Sequence, residues 1–423
     1  MPRELLRQVR LLDPLSQTDR VADVLVEDGV IRAIESTLEG IDAAIRDCAG
    51  SVLAPGLIDL YSRSGEPGFE DRETLDSLQA AAAAGGFTQV CLLPTTQPAI
   101  DQPAMVSWLH HRQKLHSPKL HCWGALTIGA QGEQMTELAE LATSPIIGFA
   151  DGRPLQNSAL LRRLLEYGQA IGKPIGLWCH DRSLAGDGVM REGSEALRLG
   201  LPGMPVMAET APLAALLECV AELPVPIHLM RVSTARSVEL IQTAKAQGLP
   251  ITASTTWLHL LLDVTAIQST YDPSLHLNPP LGNPTDRAAL IQGLRSGVLD
   301  AIAIDHSPYT YEEKTVSFAE SPSGAIGLEL ALPLLWQTFV ETGAWTGLDL
   351  WQFLSIKPAQ CLQQHPLNLA VGATEFILFD PQATWQVSSA TLQSRSSNTS
   401  WLEQTIRGRV LQTWIAEPSL NHR

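Results

Sequence analysis

The sequence Ser51-Val52-Leu53-Ala54-Pro55-Gly56-Leu57-Ile58-Asp59-Leu60-Tyr61-Ser62-Arg63 marks the point where the character of the chain changes. An apolar run, residues 51–54, leads into a stretch that carries polar and charged side chains at Asp59, Tyr61 and Arg63. This pattern is typical of a short buried strand whose carboxyl end delivers side chains into a cleft. We therefore predict that this strand opens the main domain and contributes to a functional site.

Strands and helices alternate along residues 51–345. The predicted strands are 89–93, 146–149, 175–178, 225–230, 251–254 and 301–304, and the predicted helices are 73–85, 155–171, 208–222, 234–247 and 286–296. Alternation of this kind is typical of parallel βαβ units, and this number of units favours a (β/α)8 barrel. The fold class predicted from the sequence is an α/β protein with a distorted TIM barrel.

Both ends of the chain are rich in β-forming residues. Residues 21–27 and 30–34 flank the turn Asp28-Gly29, which is a strong hairpin signal. Residues 375–381 and 409–415 are further predicted strands. We expect a small β-sandwich domain built from residues 1–50 and 346–423, the second part including a linking helix, around a barrel of residues 51–345.

Composition limits the classes of function. The 423 residues include 29 Lys and Arg against 45 Asp and Glu, a formal net charge of −16, which argues against nucleic-acid binding. The six cysteines are scattered without a Cys-x-x-Cys motif, as in a reduced cytoplasmic protein. We see no signal peptide and no apolar run of about 18 residues, so we predict neither secretion nor membrane insertion.

Several motifs in a fixed order resemble the long bacterial type of dihydroorotase, in the amidohydrolase superfamily. The residues that carry the resemblance are 55–59, 66–70, 82–88, 93–98, 151–154, 232–234, 278–281, 305–308, 322–329, 357–359, 398–399 and 408–410. Each motif is weak alone, but their order and spacing along nearly the whole chain are specific. The resemblance implies a hydrolase of pyrimidine biosynthesis that interconverts dihydroorotate and N-carbamoyl-aspartate.

The resemblance also implies a zinc site, which this sequence does not reproduce. The four metal-binding histidines of the family fall on Tyr61, Arg63, Trp178 and Arg231. An arginine stays protonated and offers no lone pair to a metal. The carboxylates at Asp151 and Asp305 remain as remnant positions, but two carboxylates are too few for a typical zinc site. We therefore expect no metal cofactor, although zinc is the cofactor in the family.

The groups that would hold the substrate are also replaced. The family's substrate arginine falls on Gly65 and its substrate asparagine on Thr95, and its final histidine falls on Tyr309. Asp305 is the family's catalytic position, but we expect it not to act here. The residues predicted to line the pocket are Tyr61, Arg63, Thr95, Arg231, Asn278, His306 and Tyr309.

Two ion pairs are a hypothesis for the degenerate site. Arg63 and Arg231 would lie where the metals bind in the family and would pair with Asp151 and Asp305, so that no carboxylate is buried unpaired. A structural alternative is a turn at Asp151 and a loop cap at Asp305, with His306 bonded to backbone carbonyls.

Cys179-His180 is a possible replacement nucleophile and base. However, neighbouring residues of a strand point to opposite faces, which disfavours a dyad. The consecutive histidines His110 and His111 fit a solvated helix face better than a metal site.

These expectations favour a catalytically inactive homologue. The resemblance extends to inactive dihydroorotase relatives that pack with aspartate transcarbamoylase, so the predicted partners are that enzyme and a second copy of this chain. The alternative is an active cyclic-amide hydrolase with a rearranged metal site or a metal-free pocket lined by arginines. Metal content and co-purification distinguish the two.

Overall fold

The protein is described by a computed structural model that covers residues 3–267 and 270–415. Its larger domain is built on eight parallel strands. They are β6 (Leu57–Ser62), β7 (Phe87–Leu92), β8 (Lys119–Gly124), β9 (Gly148–Ala150), β10 (Ile175–Trp178), β13 (Ile227–Met230), β14 (Ile251–Thr256) and β15 (Ala301–Ala303). Their order in the sheet follows the order in the chain.

Hydrogen bonds between the first and last strands bring the sheet into a nearly closed barrel. Asp305 N–H donates to the carbonyl of Tyr61 at 3.1 Å, and Arg63 N–H donates to the carbonyl of His306 at 2.8 Å. Asp59 reinforces this seam, because its buried carboxylate accepts from Ile304 N–H at 2.8 Å and from the Ser62 hydroxyl at 2.5 Å. The barrel prediction is confirmed.

Helices cover the outside of the barrel and connect its strands. The longer ones are α1 (Leu75–Ala84), α2 (Pro103–His111), α4 (Ser158–Ile171), α7 (Met207–Glu222), α8 (Ala235–Ala246) and α10 (Pro284–Arg295). The shorter ones are α3 (Leu138–Leu141), α5 (Arg182–Ala185), α6 (Ser194–Leu199), α9 (Trp257–Leu261), α11 (Tyr311–Lys314), α12 (Ala331–Leu335), α13 (Gly347–Trp351) and α14 (Lys357–Cys361). No helix within the described ranges is long and apolar enough to cross a membrane.

A capping box explains why α1 begins at Leu75. Thr74 and Ser77 form a reciprocal capping box, which satisfies two of the free N–H groups at the helix start. Leu75 and Leu78 then face the core. Gly85 ends the helix where its Cα lies against the backbone of Leu328.

The termini build a separate sheet of seven strands. Its members are β1 (Glu4–Asp13), β2 (Thr18–Glu27), β3 (Val30–Glu35), β4 (Ala44–Asp47), β5 (Val52–Pro55), β16 (Glu375–Gln386) and β17 (Thr405–Ile415). The Asp28-Gly29 turn has positive φ at both residues, as the hairpin signal predicts. The strands are hydrogen-bonded into one continuous sheet, in which β5 pairs with both β1 and β16. A further two-stranded sheet, β11 (Met190–Arg191) with β12 (Gly203–Met204), lies between α5 and α7.

Candidate functional site

The candidate site lies at the carboxyl ends of the barrel strands. Trp178 ends β10, Arg63 follows β6, Arg231 follows β13 and Asp305 follows β15. These four residues line one narrow cavity together with Asn278. The fold therefore brings residues from distant parts of the chain to the end of the barrel where catalytic groups of this fold are found.

A buried ion pair organises the cavity. Arg231 donates from Nε to Asp305 Oδ2 at 2.7 Å and from Nη2 to Asp305 Oδ1 at 2.6 Å. The Arg231 side chain is 1% exposed and that of Asp305 is 18% exposed. Both residues have a positive φ, 58° and 51°, which is uncommon for residues other than glycine. The predicted Arg231–Asp305 pair is present, with bidentate geometry.

Aromatic rings enclose the Arg231 guanidinium. Its central carbon lies 4.8 Å from the ring centre of Trp178 and 5.6 Å from that of Tyr61, within the range of cation–π attraction. Its Nη1 donates to the carbonyl of Gly152 at 3.2 Å. Burial opposes the charge, but Asp305 outweighs this and raises the pKa of Arg231. The position that the resemblance assigns to a metal ligand therefore holds a fixed guanidinium cation in this structure.

A chain of polar contacts supports this arrangement from inside the barrel. Tyr61 is fully buried, and its hydroxyl accepts from Arg231 N–H at 3.0 Å and contacts the Ser254 hydroxyl at 3.1 Å. The His228 ring nitrogens lie 2.9 Å from Ser254 Oγ and 2.9 Å from Thr252 Oγ1. Burial lowers the pKa of His228 to about 3, so the imidazole is neutral. Tyr61, predicted to line the pocket, lies beneath it instead and positions Arg231.

The predicted pair between Arg63 and Asp151 is wrong. Arg63 donates from Nη1 to the Tyr309 hydroxyl at 3.3 Å. Asp151 instead accepts from Thr127 N–H at 3.0 Å and from the Thr127 hydroxyl at 2.6 Å. These local partners satisfy the Asp151 carboxyl, and its burial raises its pKa to about 6. Arg63 is left facing the cavity without a carboxylate partner among the described residues.

His306 does not line the cavity, in contrast to the prediction. It was predicted to line the pocket, but its Nε2 lies 3.4 Å from Glu73 Oε2 and its Nδ1 accepts from Gly327 N–H at 3.2 Å. Both His306 and Glu73 are buried away from the cavity. The structural alternative for His306, a buried histidine held by hydrogen bonds, agrees with its position. Its partners differ, because the Glu73 carboxylate and the Gly327 N–H take the place of the expected backbone carbonyls.

Thr95, Tyr309 and Asn278 lie in cavities that adjoin Arg63. Thr95 and Tyr309 line a second cavity with Arg63, and Asn278 lines both the narrow cavity and a third one. The structure thus brings these three predicted residues close to Arg63.

Gly65 lies too close to its neighbours to carry any side chain. A Cβ atom built there would lie 2.3 Å from the carbonyl oxygen of Glu73 and 2.4 Å from that of Phe69. Both contacts are to backbone, which cannot move aside as a side chain can. An arginine at this position, as in the family, would require the loop of residues 65–73 to move.

The Cys179-His180 pair does not form a nucleophile and base. The His180 ring stacks on Trp178, with ring centres 4.9 Å apart, and burial lowers its pKa to about 4. Burial raises the pKa of the Cys179 thiol, which disfavours the reactive thiolate. No hydrogen bond joins the two side chains within the described part of the chain.

The donor set does not fit a zinc ion. Tyr61, Trp178 and Arg231 offer no imidazole, and both oxygens of Asp305 are bound by Arg231. Over residues 3–267 and 270–415, no three His, Cys, Asp or Glu side chains lie together as a group able to hold a metal.

The sequence reasoning missed two arginines at the mouth. Arg153 lines the second and third cavities, and Arg182 lines the third. Arg153 belongs to the motif Asp151-Gly152-Arg153-Pro154, so its position beside a strand end was the available signal. Arg182 lies in a helix after β10, and its sequence context gives no such signal.

Comparison with known proteins identifies the family. The family model described as dihydro-orotase-like matches residues 50–222. A probable dihydroorotase-like protein of Synechocystis is 46% identical over 96% of this chain and 98% of its own length. The dihydroorotase of Pelobacter propionicus is 36% identical over 97% of this chain and 98% of its own. The chain belongs to the dihydroorotase-like family.

Solved structures support the fold of this dihydroorotase-like chain. The L-hydantoinase (dihydropyrimidinase) of Arthrobacter aurescens superposes with a TM-score of 0.84 at 20% identity, covering 99% of this chain and 97% of its own. The dihydropyrimidinase of Brevibacillus agri gives a TM-score of 0.80 at 20% identity, covering 98% and 94%. The likeness shows that the dihydroorotase-like chain shares the fold of these two proteins.

Proposed function

We propose that this dihydroorotase-like chain is a catalytically inactive homologue, and that it serves pyrimidine biosynthesis as a structural partner of aspartate transcarbamoylase. The observation that carries the first part is the bidentate Arg231–Asp305 pair. It supplies one positive charge at the metal positions of the family and uses both oxygens of the family's catalytic carboxylate.

The replaced substrate groups support the same proposal. Hydrolysis of a cyclic amide needs a polarised carbonyl and an activated water, which the family obtains from its metal. It also needs groups that orient the substrate carboxylate. Gly65 has no room for a side chain, and Thr95 cannot form the amide contacts of an asparagine. Restoring one group would leave the others missing.

Two points support the partner role. The chain resembles inactive relatives, and it has the complete barrel fold although the metal-binding histidines of the family are absent from the corresponding positions. On this proposal the chain contributes an interaction surface rather than a reaction. A second copy of the chain is the other proposed partner.

Metal content and activity test the first part. The full chain would be expressed in zinc-supplemented medium beside the Pelobacter propionicus dihydroorotase as a matched control. We expect far less than one zinc per chain by elemental analysis and no measurable hydrolysis of dihydroorotate, with zinc and activity in the control. One zinc per chain, or chelator-sensitive hydrolysis, would refute inactivity.

Co-purification tests the partner separately. The tagged chain would be expressed with aspartate transcarbamoylase from the same genome, and purified with and without chelator. We expect a stable complex in both conditions, while an unrelated acidic protein with the same tag recovers none. Failure to recover the enzyme would refute the partnership without affecting the test of inactivity.

A further inference from the structure

Arg63 stands where three cavities at the barrel mouth meet. The narrow cavity that contains Arg231 has a volume of about 70 Å³. The two cavities beside it have volumes of about 340 and 360 Å³, and Arg63 and Arg153 line both of them. We refer to these three cavities, which share Arg63 as a lining residue, as the recess.

The recess carries positive charge that the protein does not neutralise. Arg231 is paired with Asp305, but no ion pair involves Arg63, Arg153 or Arg182 within the described ranges. Burial lowers the pKa of Arg153, and repulsion from Arg63 and Arg182 lowers it further. Arg153 therefore experiences the positive charge of both Arg63 and Arg182, in a chain whose formal net charge is −16.

The Asp151 carboxylate offsets only part of this charge, because its attraction for Arg153 is smaller than the opposing effects of burial, Arg63 and Arg182. Asp151 is held by Thr127, and burial raises its pKa to about 6, so its negative charge is lost only below neutral pH. A recess in which positive charge exceeds negative charge concentrates the field between its low-dielectric walls and attracts counter-ions.

Polar groups without partners lie in the same walls. Trp178 is 9% exposed, and its indole Nε1–H has no hydrogen-bond partner among the described residues. The buried Nε of Arg63 also lacks one among these residues. Both residues line the narrow cavity and the cavity of about 360 Å³. Buried polar groups in folded proteins are usually satisfied, so groups that are left over at a charged recess point to a ligand.

We propose that the recess binds a compact dianion, a phosphate group or a small dicarboxylate, between Arg63 and Arg153. Guanidinium groups bind such oxyanions by paired, charge-assisted hydrogen bonds. This set of arginines differs from the substrate arginine of the family, whose position is Gly65. The inference goes beyond the proposed function, because binding here requires neither catalysis nor a protein partner.

Isothermal titration of the full chain with inorganic phosphate, and separately with malonate, tests this inference. We expect saturable binding of at least one probe with one site per chain. Arg63→Gln and Arg153→Gln should each weaken binding about tenfold or more, since each removes charge-assisted hydrogen bonds. Arg163→Gln is the matched control, because Arg163 is an exposed arginine of α4 outside the recess.

Binding of phosphate alone would identify a phosphate ligand, and binding of malonate alone a dicarboxylate; either supports the inference. It is overturned if neither probe binds saturably, or if both recess variants bind as tightly as Arg163→Gln. Thermal unfolding checks the fold of each variant. Should Arg63→Gln misfold, Arg153→Gln decides the outcome, because Arg153 keeps much of its surface in solvent and, within the described residues, its side chain hydrogen-bonds to Gln131 alone.

Discussion

Arg231 and Asp305 show how one buried ion pair fixes the centre of a barrel. A buried charge whose partner is removed remains in a low-dielectric environment, which is more costly than never burying the pair. We expect Asp305→Asn to lower the free energy of unfolding by about 3 kcal/mol, because it leaves Arg231 at 1% exposure without its counter-ion. Urea unfolding followed by tryptophan fluorescence measures this loss.

Arg162→Gln is the control for that loss. It breaks the exposed i,i+4 pair of Arg162 with Glu166 and should cost no more than about 1 kcal/mol. If Asp305→Asn is as mild as this control, the pair does not hold the site as described.

Pairing the arginines with the carboxylates from the sequence alone gave two ion pairs, of which the structure contains one, Arg231–Asp305. Arg231 and Asp305 follow strands that meet in the closed barrel, so topology brings them together. The Arg63–Asp151 pair failed because Thr127, in the loop after β8, supplies two hydrogen bonds to Asp151. The direction of His306 does not follow from strand alternation, because Asp305 lies beyond the end of β15 and has a left-handed φ of 51°.

At the scale of elements, His228 joins β13 to β14 through Thr252 and Ser254. Its pKa is about 3 in the fold against an unfolded value near 6.5. The unfolded chain therefore takes up a proton first, so the contribution of His228 is complete above pH 6.5 and is lost as the pH falls from 6.5 toward 3.

We expect the wild-type chain to lose about 2 kcal/mol more stability than His228→Gln between pH 7 and pH 5. Unfolding curves of both proteins at the two pH values measure the difference, which also cancels the opposing effect of buried Asp59. Equal pH slopes for wild type and His228→Gln would contradict a buried neutral imidazole.

Most barrel elements were predictable, because apolar runs mark the strands, as in β10, and capping residues mark the helix starts, as in α1. Strand β8 and helix α2 were missed. In β8, Lys119 and His121 alternate with Leu120 and Cys122, so no continuous apolar run marks a strand buried in the barrel wall. In α2, His110 and His111 were assigned to a helix face, but the helix itself could not be bounded from its polar surroundings.

At the scale of the whole molecule, the terminal sheet makes the two ends of the chain depend on one another. Strand β5 pairs antiparallel with β16, and Phe376, Phe379 and Trp414 are buried. Loss of one buried large aromatic typically costs 3–5 kcal/mol, and domains have only about 5–15 kcal/mol in total. We therefore expect a chain that ends at residue 374 to be insoluble or to unfold without cooperativity.

Co-expression of residues 375–423 as a separate fragment is the matched test, because it restores β16 and β17 without the covalent link. We expect it to recover soluble protein that resists limited proteolysis. A truncated chain that is soluble alone, with an unchanged melting temperature, would contradict this dependence.

The close packing at Gly65 limits how a substrate-binding arginine could be introduced at that position. A histidine at position 63 or 231 requires one substitution, but an arginine at position 65 first needs the backbone at Phe69 and Glu73 to move. Several substitutions without individual benefit would have to come before it. The packing of this loop therefore makes it easier for the barrel to acquire a new ligand or partner than to acquire a substrate-binding arginine at position 65.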